Sequence, residues 1–218
     1  MEAKAIYDLL AEKIGAGALG FDAEALDPIA NIAPASIVEA CQFLRDDERC
    51  DFNYLMCLSG IDWDGYDEAG KGKSVNILGY TELGEPETTD RVSDGDFGVA
   101  YNLYSHKNKH KFTLRVRVTR EVASVPTISG LWETANWHER EAWDLLGIRF
   151  AGHPDLRRML LEESWVGHPL RKDYQMPDMW ENVPLRGQDY AKNPFPPTVP
   201  PEAPATPDAP AGDQPAEG

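Results

Sequence analysis

No apolar run in this sequence approaches the ~18 residues that a membrane-spanning helix needs. The N-terminus, Met1-Glu2-Ala3-Lys4, leads straight into an amphipathic pattern, with neither an apolar leader core nor an Arg/Ser-rich transit segment. The expectation is a cytosolic or peripheral protein. Cysteine is scarce: Cys41, Cys50 and Cys57 form an odd set without a C-x-x-C pair. A disulfide framework is thereby disfavoured against structural thiols in a reducing compartment. An iron–sulfur cluster held by this chain is disfavoured too, because such clusters usually take more cysteine ligands than are present.

Positive charge is short in the first half. Residues 1–106 carry 7 Lys and Arg against 21 Asp and Glu, residues 107–183 carry 12 against 11, and residues 184–218 carry 2 against 5. The net charge of −16 therefore belongs mainly to the N-terminal half. Such a surface repels phosphate backbones and anionic headgroups, which argues against nucleic-acid or bare membrane binding and is compatible with a basic protein partner. At 218 residues, 42% hydrophobic and with a mean hydropathy of −0.47, the chain is long enough to bury a core without disulfide or metal staples.

Ile6, Leu9, Leu10 and Ile14 have helical spacing and predict a first helix over 3–15, ending at Gly15 and Gly17. Pro34, followed by Ile37, Cys41 and Leu44, predicts a second helix to about Asp46. Apolar and aromatic segments at 52–59, 74–81 and 97–105, separated by Gly/Asp/Glu-rich breaks, read as strands. In 111–120, Phe112, Leu114, Val116 and Val118 alternate with Thr113, Arg115, Arg117 and Thr119, giving one apolar and one basic face. The short link 106–110 joins it to 97–105 as an antiparallel hairpin. The fold class is α+β, with N-terminal helices packed on a mostly antiparallel sheet. The expected organisation is an α+β domain over 1–126, a helical and irregular segment over 127–183, and an extended or disordered Pro/Ala-rich tail over 184–218. Nine prolines fall within 194–218.

Two motif matches fail on context. Gly15-Ala16-Gly17-Ala18-Leu19-Gly20 fits G-x-G-x-x-G but follows a helix instead of a strand, so it reads as a helix-terminating loop. His138-Glu139 begins like H-E-x-x-H, but Ala142 stands where the second histidine is required. A metal-dependent hydrolase site built on His138, Glu141, Asp144 and His153 is a weaker alternative. If 131–146 is one helix, Trp132, Ala135, Ala142, Trp143 and Leu146 form a stripe with Glu139 near its middle, while Trp137, Glu141 and Asp144 project from the other side. Glu139 then needs a cation, one of Arg157, Arg158 or Arg171. The other reading breaks the helix near Asn136 and leaves Glu139 solvated. A local echo follows: Gly152-His153-Pro154-Asp155-Leu156-Arg157-Arg158 and Gly167-His168-Pro169-Leu170-Arg171-Lys172-Asp173. Each offers a glycine turn, an imidazole, a proline and cations, either to bind an anion or, as we favour, to clamp carboxylates such as Glu139, Glu141 and Asp144 of this chain or a neighbour.

The segment from Trp137 to Arg158, with Glu139-Arg140-Glu141, Asp144, Gly147-Ile148, Phe150 and His153-Pro154-Asp155-Leu156-Arg157-Arg158, closely resembles the signature of the 30 kDa subunit family of respiratory complex I, known in bacteria as the C-subunit family of NADH-quinone oxidoreductase. Gly167 to Asp173 also matches that family's pattern. The resemblance covers roughly 34–183; Trp143 and Met159 are mild departures from it. It implies a non-catalytic core subunit of the peripheral arm, with no flavin, iron–sulfur cluster or quinone in this chain; FMN, the clusters and quinone belong to other subunits. It further implies packing against the subunits that form the quinone pocket and hold the terminal cluster, in a complex passing electrons from NADH to quinone and translocating protons. The implied location is peripheral, on the cytoplasmic side of a bacterial inner membrane. The residues taken as the docking signature are Trp137, Glu139, Arg140, Glu141, Asp144, Gly147, His153, Pro154, Asp155, Arg157, Arg158, His168, Arg171, Lys172 and Asp173. The equivalent component of a related membrane-bound hydrogenase is the nearest alternative.

Overall fold

The computed structural model describes residues 1–63, 96–177, 179–181 and 183–185. The strand expected at 74–81 and nearly all of the Pro/Ala-rich tail lie outside the described residues. Contacts divide the chain into two compact units, Met1–Met176 and Pro177–Gly218. Within the second, a short strand Met179–Trp180 pairs antiparallel with Val183–Pro184. The rest of the description concerns the first unit.

Helix α1 (Ala3–Ile14) buries Ile6 and Leu10, one turn apart, and stops at Gly15, whose φ of 52° continues no right-handed helix. The G-x-G-x-x-G match is thus a 3₁₀ turn over Gly15–Gly17 leading into strand β1 (Ala18–Asp22). A second 3₁₀ turn at Pro34–Ser36 feeds helix α2 (Ile37–Asp46), which buries Ile37, Ala40, Cys41 and Leu44 at 3-4 spacing.

The main sheet has five strands in the order β1, β2 (Ile29–Ile32), β5 (His110–Val118), β4 (Phe97–Ser105), β3 (Tyr54–Asp62). Every pairing is antiparallel except β2 with β5, where Ile29 faces Thr113 and Ile32 faces Val116. The α+β, mostly antiparallel arrangement expected from the sequence is therefore present. Two strands of this sheet are not foreseen in the sequence: β1 contains a glycine and no β-branched residue, and β2 is only four residues long.

Alternation then separates two faces. Leu114, Val116, Val99, Tyr101, Leu103, Leu55 and Leu58 are buried together with Ile6, Leu10, Cys41 and Leu44 in one core. Gly60 belongs to this inner face because a Cβ there would lie 2.6 Å from Leu146 Cδ1 and 3.3 Å from Ala142 Cβ. The glycine lets helix α3 (Glu133–Leu146) lie directly on β3.

Candidate functional site

Helix α3 is the crossover of a small parallel unit. Strand β6 (Ser124–Pro126) enters it, strand β7 (Arg149–Ala151) leaves it, and the two pair in parallel, Val125 opposite Phe150. The helix runs unbroken through Asn136 and ends at Gly147, whose φ of 75° supports the left-handed cap and whose N–H donates to Trp143 C=O at 2.8 Å. Of the two sequence readings, the continuous helix holds.

Glu139 is fully buried in the apolar stripe, but no arginine reaches it. The sequence expectation of a partner among Arg157, Arg158 and Arg171 is corrected: its carboxylate accepts the Ile128 N–H at 2.8 Å and the Thr127 hydroxyl, pinning α3 to the turn that precedes it. Donors one step away in the loop supply what a distant cation would have had to be desolvated to supply. The nearest ring nitrogen, His153 Nε2, is 3.9 Å away and lies 3.3 Å from Asn136 C=O, while His153 Nδ1 accepts the Asp155 N–H at 3.1 Å. An accepting Nδ1 places the ring proton on Nε2. Burial pushes the Glu139 carboxyl up to about 7, against the opposing pull of Thr127 and Ile128.

Asp144 was expected to project outward; instead it is completely buried. One oxygen accepts from Arg158 Nη1 at 2.8 Å, and the other from the amides of Met159, Leu160 and Leu161 at 3.0, 2.8 and 3.0 Å. Burial raises the carboxyl, but the three amides and the guanidinium outweigh it and hold the group below its ordinary value. The first echo is therefore a clamp on one carboxylate, delivered by Arg158 alone. Arg157 pairs with its near neighbour Asp155 at 2.9 Å, and both are exposed. Arg140 is buried; it donates to the carbonyls of Arg157 and Arg158, each at 3.3 Å, and lies 5.1 Å from the Trp137 ring.

The second echo caps the helix. His168 Nδ1 donates to Asp144 C=O at 2.8 Å, the Leu170 N–H to Leu145 C=O at 3.0 Å, and Arg171 Nε to Leu146 C=O at 2.7 Å. Three carbonyls that the last turn leaves unpaired are satisfied, with a cation at the negative end of the helix dipole. Burial, followed by the Arg171 and Arg158 charges, lowers the His168 ring below its usual value against the pull of Asp144. Gly147 allows this approach: a Cβ there would stand 2.6 Å from His168 Cδ2 and 2.8 Å from Arg171 Nη2.

Lys172 and Asp173 tie the segment to the sheet through partners the sequence reading missed. The Lys172 N–H donates to Asp62 Oδ2 at 2.9 Å, and Arg120 contacts both Asp62 and, at 3.4 Å, Asp173. Arg120 and Arg171 lie on the Phe97 ring, at 4.4 and 4.9 Å. The signal was available: Leu58, Gly60 and Asp62 share the inward face of β3, and a carboxylate there needs a partner.

What remains outward is Trp137, 59% exposed, with Glu141, Pro154, Asp155, Arg157 and Lys172 also exposed. Trp137 and Pro154 edge an open groove of about 750 Å³ that also touches Ile128, Gly130 and Val38. Among the described residues, no three His, Cys, Asp or Glu side chains are grouped to hold a metal. Asp144 and His153 of the suspected hydrolase set are both engaged in the bonds above. No helix of the described residues is long and apolar enough to cross a membrane.

The geometry defines a two-layer α+β protein whose charged signature is largely consumed in bracing its own irregular segment onto α3. The chain belongs to the respiratory-chain NADH dehydrogenase 30 kDa subunit family, whose pattern it matches over residues 30–180. It is 34% identical over 183 residues to the C subunit of NADH-quinone oxidoreductase from Chlorobium phaeobacteroides, covering 84% of this chain and 94% of the relative. It is 39% identical over 185 residues to the C 2 subunit of NADH-quinone oxidoreductase from Rhizobium meliloti, covering 83% and 81%. A chain in the structure of the membrane-bound sulfane sulfur reductase, an archaeal respiratory membrane complex, shares the fold with a TM-score of 0.52 at 16% identity, over 88% of this chain and 90% of that one.

Proposed function

We propose that the chain is a non-catalytic core subunit of the peripheral arm of a proton-translocating NADH:quinone oxidoreductase, and that the face around α3 docks it to the subunits forming the quinone pocket. The observation that carries this reading is the division of labour in the signature. Glu139, Asp144, Arg158, His168 and Arg171 are spent inside the chain, which leaves Trp137, Glu141 and Arg157 outward on a rigid support. A large exposed aromatic beside a groove, with charges at its rim, is the anatomy of a protein interface. In this reading FMN, iron–sulfur clusters and quinone all reside in neighbouring subunits, and the chain reaches the membrane, at its cytoplasmic side, only through the assembly.

The test is charge reversal at Arg157. Its side chain makes only an exposed local pair, so Arg157→Glu leaves the fold intact while reversing a docking charge. Loss of co-purification with the quinone-site subunits is expected; an intact, active complex containing the variant would sink the proposal. The identity of the proteins that co-purify with the chain distinguishes this reading from the hydrogenase-type alternative.

A further inference from the structure

The helices α1, α2 and α3 all lie on the inner face of the main sheet. Among the described residues, the outer face carries no helix. Register places Arg115 beside Ala100 and Asn31, and Arg117 beside Gly98. One strand further, Ser59 pairs with Ala100. Ser59, Ala100 and Gly98 give a floor of small side chains, on which Trp63 rests across Gly98: a Cβ at Gly98 would come 2.5 Å from the indole Nε1. Arg115 and Arg117 stand over the Trp63 ring at 5.5 and 4.6 Å.

Among the described residues, Arg115 and Arg117 lack the carboxylate partner that several other cations of the fold have. Lys111 on the same strand pairs with Asp27, Arg120 with Asp62 and Arg158 with Asp144. Arg115 donates only to the amide oxygen of Asn31, at 2.8 Å, and Arg117 forms no ion pair among the described residues. Burial, then the adjacent Arg117 charge, pull the Arg115 guanidinium below its ordinary value, and Asp22 only partly offsets them. A chain of net charge −16 thus keeps two like charges side by side, two residues apart on one face of a strand, with no carboxylate ion-paired to either among the described residues.

We propose that this outer face is a second docking surface, distinct from the one around α3, and that its occupant is an extended acidic segment of a neighbouring subunit. Alternate residues of an extended strand lie about 7 Å apart, the same interval that separates Arg115 from Arg117, so carboxylates in an acidic-x-acidic pattern meet both guanidinium forks. The small-residue floor lets the backbone of such a segment approach the sheet, and Trp63 holds the two cations in place. The acidity of the chain as a whole disfavours a long polyanion such as a nucleic-acid backbone, whereas a short acidic segment meets only the two arginines. The inference rests on the reading that the chain works inside an assembly.

The test uses the intact complex purified with a photoreactive amino acid in place of Ser59. A cross-link to another subunit, within a stretch carrying acidic residues at alternate positions, is expected. It should be lost in the Arg115→Glu/Arg117→Glu variant and weakened in Arg115→Gln/Arg117→Gln, whose folding is checked by thermal unfolding. Retention in the complex is scored separately: a retained chain that gives no such cross-link, cross-links only to its own residues 64–95, or cross-links equally in the neutral variant overturns this inference alone. A chain that purifies by itself overturns the α3 docking reading as well.

Discussion

Asp144 and Arg158, 14 residues apart in sequence, meet at 2.8 Å with the carboxylate wholly buried, and the three amides that follow Arg158 close on the other oxygen. One side chain of α3 thereby organises an otherwise irregular stretch. Asp144→Ala strands a guanidinium and three amides and is expected to cost about 3–5 kcal/mol. Arg158→Ala leaves the amide bonds in place and should cost less. Denaturant unfolding checks the order, and protease cutting near 157–161 should appear first in the Asp144 variant. Equal costs would show that the ion pair alone matters.

Gly147 offers a sharper local test. Its left-handed backbone and the absent Cβ both serve the contact with His168 and Arg171. Gly147→Ala is expected to lose about 1–3 kcal/mol, with amide exchange accelerating at Leu170 and Arg171. Unchanged exchange there would mean that the second echo is held by something other than the helix end.

The pH dependence of Glu139 runs opposite to that of a paired carboxylate. Its folded-state value of about 7 exceeds the ordinary 4.5, so between these values the folded chain keeps a proton that the unfolded chain has released. Stability contributed by this group is therefore greatest below pH 4.5 and falls as pH rises to 7. Glu139→Gln cannot ionise. Relative to the parent it should gain on the order of 3 kcal/mol between about pH 4.5 and about pH 8. Parallel stability curves for the two proteins would refute the assignment. Asp144, held low, acts in the reverse sense: its contribution is full above the ordinary carboxylate value and is lost as pH falls through the folded one.

The sheet anchor of the signature is Asp62 with Arg120. Arg120→Met leaves the buried Asp62 short of its cation and is expected to cost about 3 kcal/mol. Asp62→Asn in the same chain should recover part of that loss, which a double-mutant cycle measures. Strict additivity would show that the two residues do not act together.

Trp137 is predicted to separate folding from assembly. Because it is 59% exposed, Trp137→Ala should change unfolding free energy by no more than roughly 0.5–1 kcal/mol. Incorporation into the complex should nevertheless fall, as read by co-purification. Normal incorporation would move the docking face away from α3.

The periodicity of Phe112, Leu114, Val116 and Val118 made β5 and its hairpin legible, because alternation over a long strand is a direct imprint of one buried face. The continuous α3 was legible in its apolar stripe. Who would answer Glu139 was not: sequence patterning says that a buried carboxylate needs donors, but not that a backbone amide and a hydroxyl from the adjacent loop arrive before any arginine does. The two echoed segments looked equivalent on paper and do different work. Arg158 meets a carboxylate, whereas Arg171 meets a carbonyl, and only the end of α3 decides between them. The link from Asp62 to Lys172 is not legible in the sequence because it spans 110 residues of chain.

Because β2 pairs in parallel with β5, the order in which the chain is made matters. Asn31 and Arg115, which join these strands, are 84 residues apart. At typical synthesis rates of about 5–20 residues per second, the β2 edge waits roughly 4–17 s on the ribosome before its partner exists. During that time an open row of backbone donors and acceptors is offered to any passing strand. Until β5 is made, the β2 edge is therefore a site where the nascent chain is open to mispairing.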